Sequence, residues 1–120
     1  INVSGNLPQA VFGVGYGAYF DSEHIAAIRV RLQEEVQRTA AALGVALELP
    51  DPAKAVFSKT ARFSTLQDLD AKRHTEVDML LGVLLQKGAE HGLSLPYAEY
   101  TYHAIKALEE KNDGKFNYTL

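Results

Sequence analysis

Apolar residues recur along this chain at intervals of three and four. They alternate at intervals of two only over Val45-Ala46-Leu47-Glu48-Leu49. The clearest run is Ile25, Ile28, Leu32, Val36, Ala40 and Leu43, one stripe down a helix. Asp21 or Ser22 caps its start, Glu23 sits in its first turn and Gly44 follows its end, so the pattern predicts a helix up to Leu43. Arg29, Arg31, Glu34, Glu35 and Arg38 are predicted to be its wet side. No second segment exists to pair with Val45–Leu49, which reads as an extended connection.

The same spacing places the other elements. Ile1 to about Phe12 reads as the tail of a helix bent by Gly5 and Pro8. Asn2 and Asn6, four apart, share one of its faces, and on the residues alone they are solvent-facing or capping amides. Asp51-Pro52 opens a helix with Ala55, Val56 and Phe57 on its buried side. Ser64 to about Lys72 reads as a short polar helix that Ser64 could cap. A further helix is expected from Thr75 to about His91, ended by Gly92. Thr75 and Asp78, ahead of Val77 and Met79-Leu80-Leu81, form a capping-box pattern. That puts the Glu76 carboxylate at the positive end of the helix dipole. Val77, Leu80, Leu81, Leu84 and Leu85 give this helix its apolar face. Gly82 inside it costs on the order of 1 kcal/mol against alanine, a position where another backbone or a ligand often comes close. The last helix starts at Leu95-Pro96-Tyr97 and runs to about Lys111. Tyr100, Ile105 and Leu108 are its expected core contacts; Tyr97, Tyr100 and Tyr102 either pack or line a pocket or dimer face. The fold class is all-α, with four to six helices.

Composition narrows the function classes. A chain of 120 residues, 47% hydrophobic and 22% charged, is one ordinary domain. A net charge of -3 argues against nucleic acid, and no run approaches the roughly twenty apolar residues of a membrane span. The absence of cysteine removes disulfides, thiolate metal sites and thiolate nucleophiles, and no metal site is expected. It also leans towards a reducing, cytoplasmic setting. Gly13-Val14-Gly15-Tyr16-Gly17-Ala18 matches the G-x-G-x-x-A dinucleotide fingerprint, but its context fails. No strong strand precedes it and the helical signals are expected to begin only at Asp21-Ser22, so it reads as a flexible turn between helices.

One stretch does carry a specific signal. Ser64-Thr65-Leu66-Gln67-Asp68, followed by Arg73-His74-Thr75-Glu76-Val77-Asp78 and then Gly82, resembles the C-terminal domain of the ketopantoate reductases (2-dehydropantoate 2-reductases). Ala89-Glu90-His91-Gly92, Pro96 and Ile105-Lys106-Ala107-Leu108-Glu109 extend the resemblance over nearly the whole chain. It implies a helical domain of the 6-phosphogluconate-dehydrogenase-like type, paired with an N-terminal Rossmann domain that binds most of the NADPH. The activity it implies is reduction of a 2-keto acid to its 2-hydroxy acid in pantothenate biosynthesis. The chain, which begins with Ile in an apolar segment, would then be one domain of a longer protein, inactive alone. The other reading is a helical dimerisation module that keeps the fold without catalysis.

Residue by residue, the resemblance places the catalytic lysine upstream of Ile1, one helical turn before Asn2. Asn2, Asn6 and Ser64 fall at substrate-binding positions, Asp68 at a cofactor-side position, and Glu76 near both the reacting centre and the nicotinamide-side ribose. On local grounds alone Asp68 and Arg73 are an ordinary surface ion pair. The chain departs from the family pattern at Tyr16, Ala61, Phe63, Leu81 and Ala98, where polar residues are common. Each change removes a polar group or adds bulk near the expected cleft. A 2-keto acid bulkier or more apolar than ketopantoate therefore enters consideration.

Overall fold

The computed structural model describes residues 3–45 and 58–118. Asn2, residues 46–49 of the expected connection and the helix expected after Asp51-Pro52 lie outside them. Among the described residues there is no strand. The elements in order are α1 (Val3–Phe12), α2 (Ala18–Asp21), α3 (Glu23–Ala42), α4 (Ser64–Asp70), a π-turn (Asp78–Gly82) running into α5 (Val83–Glu90), and α6 (Pro96–Asn112).

The core is drawn from nearly every element: Leu7 and Ala10, Leu32, Leu66 and Leu69, Val77 and Leu81, then Leu95, Ala98 and Ile105. Each buried leucine contributes roughly 2 kcal/mol of transfer free energy. Leu80, Leu84, Leu85 and Leu108 pack partly buried against this cluster, as their spacing predicts. Tyr100, expected in the core, is 68% exposed.

Helix α3 starts and stops where expected. The Ser22 hydroxyl accepts the Ile25 N–H at 3.2 Å, and Gly44 takes a left-handed φ of +73° after the last turn. Its wet side is another matter, because Arg29 and Glu35 are only 7% and 2% exposed. A single stripe predicts one buried face, but α3 is contacted by α1, α2, α5 and α6 and is enclosed on more sides than that. The Arg29 guanidinium lies over the Tyr19 ring at 4.7 Å and the Tyr16 ring at 5.7 Å, a cation–π arrangement that replaces lost hydration. Glu35 accepts the Tyr97 and Ala98 N–H groups at 2.9 and 2.8 Å. These are orphan donors at the start of α6, whose N-cap, Leu95, has no side chain able to serve them.

Helix α1 is built around the defect at Pro8. The Tyr19 hydroxyl accepts the Gln9 N–H at 2.9 Å and donates to the Gly5 carbonyl at 2.6 Å, standing between two groups that a regular helix joins directly. Burial pushes this phenol well above its usual range. The fully buried Gln9 side chain then donates to the Ala61 carbonyl at 2.8 Å and accepts the Phe63 N–H at 2.7 Å. That pair of bonds ties the start of α4 to α1.

Candidate functional site

Three of the residues singled out by the sequence, Ser64, Asp68 and Glu76, lie on α4 and the junction that follows it. Ser64 occupies the first position inside α4; the capping position is Phe63, so Ser64 does not cap its own helix. Its side chain is exposed and forms no hydrogen bond to the described residues. Asp68 lies one turn further on. Its Oδ1 takes both Nε and a terminal nitrogen of Arg73 at 3.1 Å, so this carboxylate is engaged with the ion pair expected on local grounds. The helix ends at Asp70, short of the expected Lys72. Lys72 adopts a left-handed φ of +58°, with its N–H on the Leu69 carbonyl at 3.0 Å and the Arg73 N–H on the Asp68 carbonyl at 2.7 Å. This is the closure that glycine usually makes, here carried by a lysine. Asn112 fixes it from α6, with Nδ2 on the Leu69 carbonyl at 3.0 Å.

Glu76 lies between two anchored neighbours. Before it, the Thr75 N–H and Oγ1 both donate to Glu109 Oε2, at 2.8 and 2.7 Å. After it, Asp78 receives the Tyr102 hydroxyl at 2.6 Å and Lys106 Nζ at 3.2 Å. Asp78 therefore does not close a capping box on Thr75, because α6 supplies stronger donors. Thr75 Oγ1 accepts only the Val77 N–H, at 3.2 Å. The chain turns as a π-turn from Asp78, where the sequence pattern predicts regular α-helix. The Tyr102 hydroxyl and the Lys106 ammonium hold Asp78 below the usual carboxylate range, and the same contacts raise Tyr102 and Lys106. Burial pushes Glu109 up, but the two Thr75 bonds and the Lys106 charge at 3.4 Å outweigh it and hold it low. Glu76 itself is exposed and has no side-chain partner among the described residues, with Met79, 73% exposed, one turn further on.

Sequence reasoning missed Glu109. A usable signal was present: Tyr102, Lys106 and Glu109 stand at four- and three-residue spacing, a polar stripe on one face of α6. No other backbone among the described residues closes on Gly82, where a Cβ would meet only ordinary contacts, the nearest Tyr102 Cε1 at 3.8 Å.

The remaining candidates are elsewhere. Asn6 is half-buried on α1, the helix that packs against α4. The glycine-rich turn is not the flexible turn its sequence suggests. Its Tyr16 and Gly17 N–H groups donate to the Ala61 and Lys59 carbonyls at 2.9 and 3.0 Å, and a Cβ on Gly15 would sit 2.3 Å from the Lys59 carbonyl oxygen. With those donors engaged and that space filled, it offers no cradle for a pyrophosphate. An apolar groove of about 370 Å³ lies between α1, α3 and α6, bordered by Pro8, Phe12, Ile28, Tyr97 and Tyr100. None of Asn6, Ser64, Asp68 and Glu76 lines it. Tyr102 points away to Asp78, so the three tyrosines do not make one face. Among the described residues no three His, Asp or Glu side chains group as metal ligands, and no helix is long and apolar enough to cross a membrane.

Comparison with known proteins places the chain in a family. Residues 1–109 match the family model described as "Ketopantoate reductase PanE/ApbA C terminal". The chain is 32% identical over 114 residues to the 2-dehydropantoate 2-reductase of Vibrio cholerae, covering 92% of this chain and 38% of that protein. It is 46% identical to the Yersinia pestis 2-dehydropantoate 2-reductase over 46 residues, covering 38% of this chain and 15% of that protein. The chain thus spans well under half the length of these relatives. Among solved structures, a PanE/ApbA family ketopantoate reductase from Ralstonia eutropha superimposes with a TM-score of 0.79 at 26% identity, over 93% of this chain and 39% of that one. A D-mandelate dehydrogenase shares the fold, with a TM-score of 0.75 at 17% identity over 92% of this chain and 48% of that one.

Proposed function

The chain belongs to the ketopantoate reductase PanE/ApbA C-terminal family, and from that membership we propose that it forms the substrate-side half of an NADPH-dependent reductase. In this reading a 2-keto acid, 2-dehydropantoate or a relative, becomes its 2-hydroxy acid in a cytoplasmic pantothenate pathway. The other half of the cleft comes from an N-terminal Rossmann domain of the same protein.

The observation that carries the proposal is Glu76: a carboxylate left exposed, and without a partner among the described residues, between two residues that α6 holds. An unengaged acceptor of this kind fits a ribose hydroxyl or a lysine ammonium, and Asp68, already paired with Arg73, fits the cofactor less well. NADPH, held by that other domain, would supply hydride chemistry, and the negative charge this would leave on the ketone oxygen is what the residues around it must meet. A lysine upstream of Ile1 would stabilise and protonate that oxygen. Ser64 holds the substrate's polar end by its hydroxyl, Asn6 on α1 binds further along it, and Asn2 is a further candidate for the same substrate. Phe63, one of the departures from the family pattern, precedes Ser64 and packs edge to face on the buried Tyr16 at 5.4 Å. An aromatic residue next to Ser64 favours a keto acid with an apolar substituent. The test is NADPH oxidation by the protein that carries this chain, with a panel of 2-keto acids. Glu76→Ala and Ser64→Ala are each expected to lower kcat/KM about tenfold or more. Normal turnover in both variants would overturn the assignment.

A further inference from the structure

Resting on that cleft assignment, we infer that Glu109 is a positioning residue for Glu76, fixing from beneath the backbone that presents this carboxylate to the cleft. Glu109 is 3% exposed and has no route to a substrate, so it is not itself a catalytic residue. What it does have is both donors of Thr75, the backbone N–H and the hydroxyl, on one carboxylate oxygen. Two bonds to one residue fix both its position and its rotation, which a single contact leaves loose. The other oxygen faces Lys106 Nζ at 3.4 Å and His74 Nδ1 at 3.9 Å. Lys106 in turn reaches Asp78, and His74 Nε2 meets Asp113 Oδ2 at 2.7 Å. The residues on either side of Glu76 are therefore fastened to one face of α6, while the Glu76 side chain receives none of these bonds.

The test is a double-mutant cycle in the protein that carries this chain. Steady-state turnover and thermal unfolding are measured for Glu109→Ala and Glu109→Gln, each alone and combined with Glu76→Ala. Glu109→Ala is expected to lower kcat/KM about tenfold, and Glu109→Gln, which keeps an oxygen for Thr75, to recover most of it. In the Glu76→Ala background, Glu109→Ala should still lower the unfolding temperature but change activity less than about twofold. An equal loss of activity with and without Glu76 would overturn the inference and leave the cleft assignment standing. Full activity of Glu76→Ala alone would overturn both. Should Glu109→Ala fail to fold, Thr75→Val removes one of the two bonds and is expected to cost about threefold, an effect that must likewise vanish without Glu76.

Discussion

Two buried carboxylates in this domain do the same mechanical job at opposite ends of α6, with different consequences. Glu35, on α3, holds the N–H groups that open α6; Glu109, near the end of α6, holds the Thr75 donors that open the π-turn. Both accept two hydrogen bonds and both are almost fully enclosed. Glu35 divides its bonds between its two oxygens, completes a helix start and leaves nothing free; Arg38, at 4.0 Å, stands only at the edge of ion-pair range. Glu109 places both bonds on one oxygen, keeps the other for Lys106, and leaves an exposed acid next to the residue it grips. The difference separates a cap that ends in structure from the anchor proposed above to serve a site.

The comparison can be broken most forcefully at Glu35. Glu35→Ala removes two charge-assisted bonds and strands two N–H groups, for an expected loss of about 3 kcal/mol in urea unfolding. Any loss of activity should disappear under conditions where the variant is fully folded. At Glu109 the expected effect is smaller and depends on pH. Its folded-state value lies below the ordinary carboxylate range, so its contribution is fully present above that range and is lost as pH falls through the lowered value. Glu109→Gln should therefore differ from the parent by about 1 kcal/mol at neutral pH, and thermal unfolding should show the gap closing in acid. The smallest effect is expected at Lys72. Lys72→Gly relieves the left-handed closure of α4 and should stabilise the domain by a few tenths of a kcal/mol up to about 1. Calorimetry showing destabilisation instead would mean that the lysine side chain holds the turn in some other way.

Much of the helix layout was legible because each strong signal was local. The α3 stripe, its Ser22 cap, Gly44 and Gly92 all act within a turn or two of where they stand. The same locality misled at Arg29 and Glu35, whose spacing reads as solvent-facing while helices from distant parts of the chain enclose them. Ser64 and Glu76 were legible as candidates only through a family resemblance, since nothing in their neighbours' spacing tells an exposed polar residue from a functional one. The capping box at Thr75 and Asp78 failed for a related reason. A side chain bonds its strongest available donor, and Tyr102 and Lys106 arrive from residues two dozen or more positions away.

By itself, then, the sequence determined where most helices begin and end and part of the core, Leu32, Val77, Leu81 and Ile105 among it, because propensity, capping and periodicity act over a few neighbouring residues. Only the tertiary structure decided which of the carboxylates around the candidate site are engaged and which is free among the described residues. Glu35, Asp68, Asp78 and Glu109 are spent on partners, and Glu76 is left over. That distinction depends on which donors long-range packing brings within about 3 Å, a quantity that no local pattern encodes.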